Sequence, residues 1–160
     1  MYNEPEWASV DEWNAYAWFG FAVSEAQAVE RLLLVIAVAI TSIKPLPNYS
    51  PQPRRGRHND LDHLTPGNLV KFVRPYGVLA DDILKMLADA VRARNALAHE
   101  FFVPRTDKIN SSVRPPIDAQ KELQKAASLF SNLAIRLESI VWPLLEEKRD
   151  KGDAVERGIG

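Results

Sequence analysis

The stretch Asp81-Asp-Ile-Leu-Lys-Met-Leu-Ala-Asp-Ala-Val-Arg-Ala-Arg-Asn-Ala-Leu-Ala-His-Glu-Phe-Phe102 decides how the chain folds. It opens on two aspartates, the charge that suits the positive end of a helix dipole. With Ile83 set at zero and about 100° per residue, Leu84, Leu87, Ala90, Val91, Leu97, Ala98, Phe101 and Phe102 gather into one apolar sector. That period predicts an amphipathic helix, which has to stop by Pro104. Arg94 falls in the middle of the apolar sector. His99 points roughly 140° away from it on an ideal helix, along a ridge shared with Arg92 and Asn95. One arginine is thus aimed at the core, and a polar ridge is aimed elsewhere.

An arginine in an apolar seam is costly unless it is paired. Upstream, Ser9-Val-Asp-Glu12 resembles a capping box, and no proline interrupts the chain from there to Ile43. Trp18, Ala22, Val29, Leu33, Ile36 and Ile40 recur at helical spacing within it. Glu25 lies in the same stripe where an apolar residue is expected, which makes it the expected partner of Arg94 across the two helices. The plain alternative is an ion pair that only specifies packing. Gly20 is a weak point or a close-contact site in this helix.

The remaining chain supplies more helices and the links between them. Residues 44–64 carry prolines at 45, 47, 51 and 53 and the basic cluster Arg54, Arg55 and Arg57, which predicts a surface loop. Thr65-Pro66 reads as an N-cap with a first-turn proline, opening a short helix that ends near Arg74 and is closed by Pro75-Tyr-Gly77. Residues 105–116 read as loop. A last helix from about Asp118 repeats Leu123, Phe130, Leu137 and Leu144 seven apart, with Ala126, Leu133 and Ile140 between them. Pro143 is expected to bend or end it, and residues 146–160 to form a frayed, charged tail. No run alternates with period two. The expectation is one all-α domain over residues 11–145, a bundle of four principal helices behind a flexible start at 1–10.

Composition agrees with an ordinary globular chain: 46% apolar, 26% charged, net charge −1. That charge gives no global attraction for nucleic acid, so any such site has to be a local patch. The absence of cysteine excludes thiolate catalysis and sulfur-ligated zinc. The most apolar run, Leu32 to Ile40, is shorter than the ~20 residues a spanning helix needs, so it reads as a buried segment of a cytoplasmic protein away from any membrane.

The string Arg94-Asn95-Ala-Leu-Ala-His99-Glu-Phe-Phe resembles the signature of HEPN domains, small helical bundles with an R-x4–6-H motif. The bare spacing also fits Arg92 to His99 and Arg57 to His63; the fuller string late in a helix carries the resemblance. It implies a symmetric homodimer whose motif helices build one cleft, and, in active members, RNA cleavage without a metal or other cofactor. In that mechanism His99 is a general acid/base, Arg94 stabilises charge on the phosphate and Asn95 orients the site. Arg92, Arg54, Arg55 and Arg57 would add contacts to RNA. The chain would be a toxin or a phage-defence effector, with an antitoxin as a further partner. One toxin subgroup carries a tyrosine two residues after the histidine, where this chain has Phe101, so control through that tyrosine is absent. The alternative within the family is a non-catalytic module that binds a nucleotide or a protein. A third reading is a helical structural protein in which both residues serve packing. His58, Asp60, Asp62 and His63 can be drawn as a metal cluster but read as a solvated loop, and tryptophans 7, 13, 18 and 142 as core and dimer contacts.

Overall fold

Among the described residues the chain forms α1 (Val10–Ile43), α2 (Pro66–Val73), α3 (Asp81–Asn95) and α4 (Ile117–Glu156), and no strand. A 3-10 turn, Arg74–Tyr76, follows α2, and a π turn, Ala96–Glu100, follows α3. The computed structural model describes residues 10–44, 61, 63–101 and 117–156. The expected features at Trp7, Ser9, Arg54, Arg55, Arg57, His58, Asp60, Asp62 and Phe102 lie outside these residues, as does the loop at 105–116.

Each helix follows from its local sequence. Thr65 has an extended backbone and its hydroxyl accepts the Asn68 N–H at 3.4 Å, while Pro66 occupies the first turn of α2. Gly77 closes the turn after α2 at φ 69, where a side chain would be strained. α3 starts at Asp81, with both aspartates in its first turn. In α4 the heptad-spaced residues turn inward: Leu123, Phe130, Leu133 and Leu137 are buried, with Leu144 against the core. They meet Ala22, Val29, Leu33 and Ile36 of α1 in the longest helix–helix contact of the fold. Burying each such Leu, Ile or Phe is worth roughly 1.5–3 kcal/mol relative to leaving it exposed.

Named contacts fix the directions. The Phe19 and Phe101 rings lie 5.3 Å apart and Glu30 meets Arg94, so α3 runs antiparallel to α1. Phe130 lies in one cleft with Val29, while Lys151 donates to the Ile43 carbonyl at 3.4 Å, so α4 runs parallel to α1. Near the start of α3, Arg136 of α4 binds the Asp82 carboxylate and directs its other terminal nitrogen at the Met86 sulfur, 3.3 Å away. The hydrogen bond from Arg136 holds the Asp82 carboxyl below its ordinary value, helped by the Ile83 backbone N–H.

Several expectations change. α4 passes through Pro143 and continues to Glu156 instead of fraying from 146. Pro143 is exposed, so the Ser139 carbonyl left without its helical partner faces water. Val141, Leu144 and Leu145 hold the segment to the core, and a Glu147–Lys151 pair at 3.1 Å supports the next turn. Gly20 is exposed, with open space where a Cβ would stand, so it makes no close approach. Trp13 and Trp142 are exposed and so lie outside the core, whereas Trp18 is half-buried and packs against it. Finally, α1 as a whole is far longer than the run Leu32–Ile40: over Trp13–Ile43 it is long and apolar enough to cross a membrane by length and composition. Its apolar residues include the core face described above, so the same composition also serves packing.

Candidate functional site

The regular helical phase of α3 ends at Asn95. Ile83, Leu87 and Ala90 are buried, as the wheel requires, and Arg94 follows on their side. Then Ala96–Glu100 form a π turn, which holds about one residue more than an α turn, while the Ala96 N–H at its start still reaches the Arg92 and Ala93 carbonyls. Leu97 enters the core and the Phe101 ring packs on Phe19, so the widened turn is pinned on both sides. Ala98, placed on the apolar sector by an ideal wheel, is exposed.

This widening changes the relation between the two motif residues. On an α-helix, five steps separate Arg94 and His99 by roughly 140°. Through a π turn the steps are shorter, so the arginine and histidine are closer in angle than a regular helix would leave them. His99 and Asn95 are exposed and Arg94 is half-exposed.

Arg94 is paired, but its partner is Glu30 and not Glu25. The Arg94 Nε donates to Glu30 Oε1 at 3.1 Å, with the two side chains 39% and 31% exposed. Taking Ala22 as zero on α1, the core residues Val29, Leu33, Ile36 and Ile40 centre near 0°, Glu25 lies at roughly −60° and Glu30 at roughly +80°. The two carboxylates sit on opposite shoulders of the buried face, and α3 packs against the Glu30 shoulder. The sequence contained the right kind of residue; what it lacked was the side from which α3 approaches. The pair stands at the rim of a shallow apolar cleft of about 10 Å³ walled by Val29, Leu33, Pro66, Leu87, Val91 and Phe130.

The second arginine of the motif behaves differently. Arg92 is 76% exposed and is bound along its own helix to Asp89. It forms, with Asn95 and His99, the outward ridge that the helical angles predicted. Its partner is a surface one that a stronger anion displaces at little cost. His63 is exposed, and among the described residues no three His, Asp or Glu side chains gather as metal ligands.

Chemically, this stretch offers a planar multi-donor cation, an imidazole and an exposed amide. Such a set suits an anion at which a proton is moved. Comparison of the chain with family models, with curated proteins and with solved structures finds no match.

Proposed function

We propose that this chain is a HEPN-type, metal-independent endoribonuclease acting as a homodimer, in the role of a toxin or phage-defence effector. His99 serves as general acid/base, Arg94 binds the scissile phosphate and Asn95 orients the site. The reaction is an internal transfer: the ribose 2′-oxygen bonds to phosphorus as the bond to the 5′-oxygen breaks. His99 takes the 2′-hydroxyl proton or gives one to the leaving oxygen, and Arg94 offsets the charge that grows on the non-bridging oxygens. The products are a 2′,3′-cyclic phosphate and a free 5′-hydroxyl.

The observation that carries this reading is the π turn at Ala96–Glu100. Arg94 and His99 diverge on a regular helix, and a shared phosphate requires them on one groove. A widened turn between them narrows that divergence, and π turns recur at functional sites. The dimer draws support from α1: Trp13, Tyr16 and Phe21 are exposed on its N-terminal half, the part beside the π turn through Phe19 and Phe101. Exposed aromatics are common where a protein meets a partner. Phe101, where the toxin subgroup has a tyrosine, is engaged in packing on Phe19.

The test is RNA cleavage by purified protein in the presence of a chelator, with His99→Ala as control. Cleavage to cyclic-phosphate ends, lost in the variant, is the expected result. Activity that survives the substitution defeats the mechanism. Binding without cleavage, abolished by Arg94→Ala, would mark the non-catalytic nucleotide-binding module instead.

A further inference from the structure

A guanidinium has five N–H donors, and Glu30 engages only the one on Nε of Arg94. Among the described residues, no other hydrogen bond involves the Arg94 guanidinium. The wall behind it is apolar, formed by Val29, Leu87, Val91 and Phe130, and offers no acceptor toward which the Nη groups could turn. Two constraints therefore act on one side chain: a carboxylate fixes its inner edge, and the apolar wall keeps the opposite fork facing out. The 39% exposure of Arg94 is consistent with an outward Nη1–Nη2 edge. That edge is the one that binds two oxygens of a phosphodiester side by side.

We infer that Glu30 is a positioning residue, which holds Arg94 by Nε so that its Nη1–Nη2 fork is preset for the two non-bridging oxygens of a phosphodiester. The identity of the anion rests on the nuclease reading above; the tether itself does not. A pair as exposed as this one adds little to folding stability, so its main consequence is orientation. The carboxylate also repels an incoming phosphate. Its removal therefore loosens the fork while easing binding, a combination that a purely structural residue does not produce.

Two measurements on the full chain separate the possibilities. In cleavage assays, Glu30→Ala lowers kcat by about 10–100-fold, the scale of a misplaced positioning group, with KM unchanged or lower. Glu30→Gln, which keeps an oxygen acceptor for Nε, recovers most of that loss. Equal kcat in wild type and Glu30→Ala overturns the inference, as does a rise in KM with kcat unchanged. The second measurement does not need activity. In nitrogen–proton NMR spectra, with the Arg94 Nε–H signal assigned by its disappearance in Arg94→Lys, that signal is slow-exchanging in wild type and lost to exchange in Glu30→Ala. Addition of a non-cleavable 2′-O-methyl RNA oligonucleotide leaves the Nε–H protected in wild type while shifting the Nη signals. Wild type that cleaves no RNA defeats the nuclease reading alone, and the NMR result then decides for or against the tether. An Nε–H signal indifferent to Glu30→Ala, or one released when the oligonucleotide binds, refutes the positioning role.

Discussion

The two ends of α3 are anchored by the same kind of contact, arginine to carboxylate across two helices, yet they differ in everything around it. At the start, Asp82 and Arg136 join α3 to α4 over regular helix, and Met86 occupies the second nitrogen of the arginine. At the end, Arg94 uses Nε alone, beside a cleft, and the backbone beyond it widens into a π turn. The first arginine has both terminal nitrogens engaged. Among the described residues, the second has neither terminal nitrogen engaged. A contact that occupies the terminal fork of its arginine reads as a clamp, whereas one that leaves the fork unpaired beside a cleft reads as a site.

The sharpest way to break this comparison is to change the length of the π turn. Inserting one alanine between Leu97 and Ala98 turns His99 by roughly 100° about the helix axis. Cleavage should fall to the level of His99→Ala, a loss on the order of 10²–10⁴-fold. Deleting Ala98 should do far less. The turn reverts to α geometry with the histidine four residues after Arg94, roughly 40° away, and the rate stays within about tenfold of wild type. A folded deletion variant as inactive as the insertion variant would remove the π turn from the explanation. Circular dichroism alongside the assay checks that both remain folded.

Between the two ends lies Leu87, fully buried on α3. Its replacement by alanine should cost about 2–5 kcal/mol in urea unfolding. Arg94→Ala should cost no more than about 1 kcal/mol in the same experiment, because the Glu30 pair is substantially solvated and the freed carboxylate stays in water. A loss from Arg94→Ala as large as that from Leu87→Ala would make the residue structural. The smallest effect belongs to Asp82→Asn, and its pH dependence is its signature. The Asp82 carboxyl is held below its ordinary value, so its contribution is present above the usual carboxylate range and fades as pH falls through the lowered value. Wild type and Asp82→Asn should differ slightly at neutral pH and converge in acid; a gap that widens in acid would contradict the assignment.

Much of the fold was legible because each signal was local. Thr65-Pro66, Asp81-Asp82 and the Leu123–Phe130–Leu137 repeat act through neighbouring residues, and α2, α3 and α4 start or pack where those residues dictate. The site was legible in part. Helical angles showed Arg94 and His99 diverging on a regular helix, so that either a local distortion or a dimer would have to reunite them, and the backbone departs from α geometry over Ala96–Glu100. They did not select between Glu25 and Glu30, since both flank the buried stripe and the choice is made by how α3 lies on α1. Pro143 misled for a related reason: its cost is local, whereas the support that carries α4 past it comes from Leu144, Leu145 and the reach of Lys151 to Ile43.

The parallel course of α1 and α4 has a kinetic consequence. The most extensive contact of the bundle joins residues about a hundred positions apart in sequence, an arrangement of high contact order and slow closure. On the ribosome, α1 emerges with its buried face uncovered and waits for a partner made last. Phe130 belongs to that late helix and also walls the cleft at Arg94. The cleft is therefore incomplete until α4 docks.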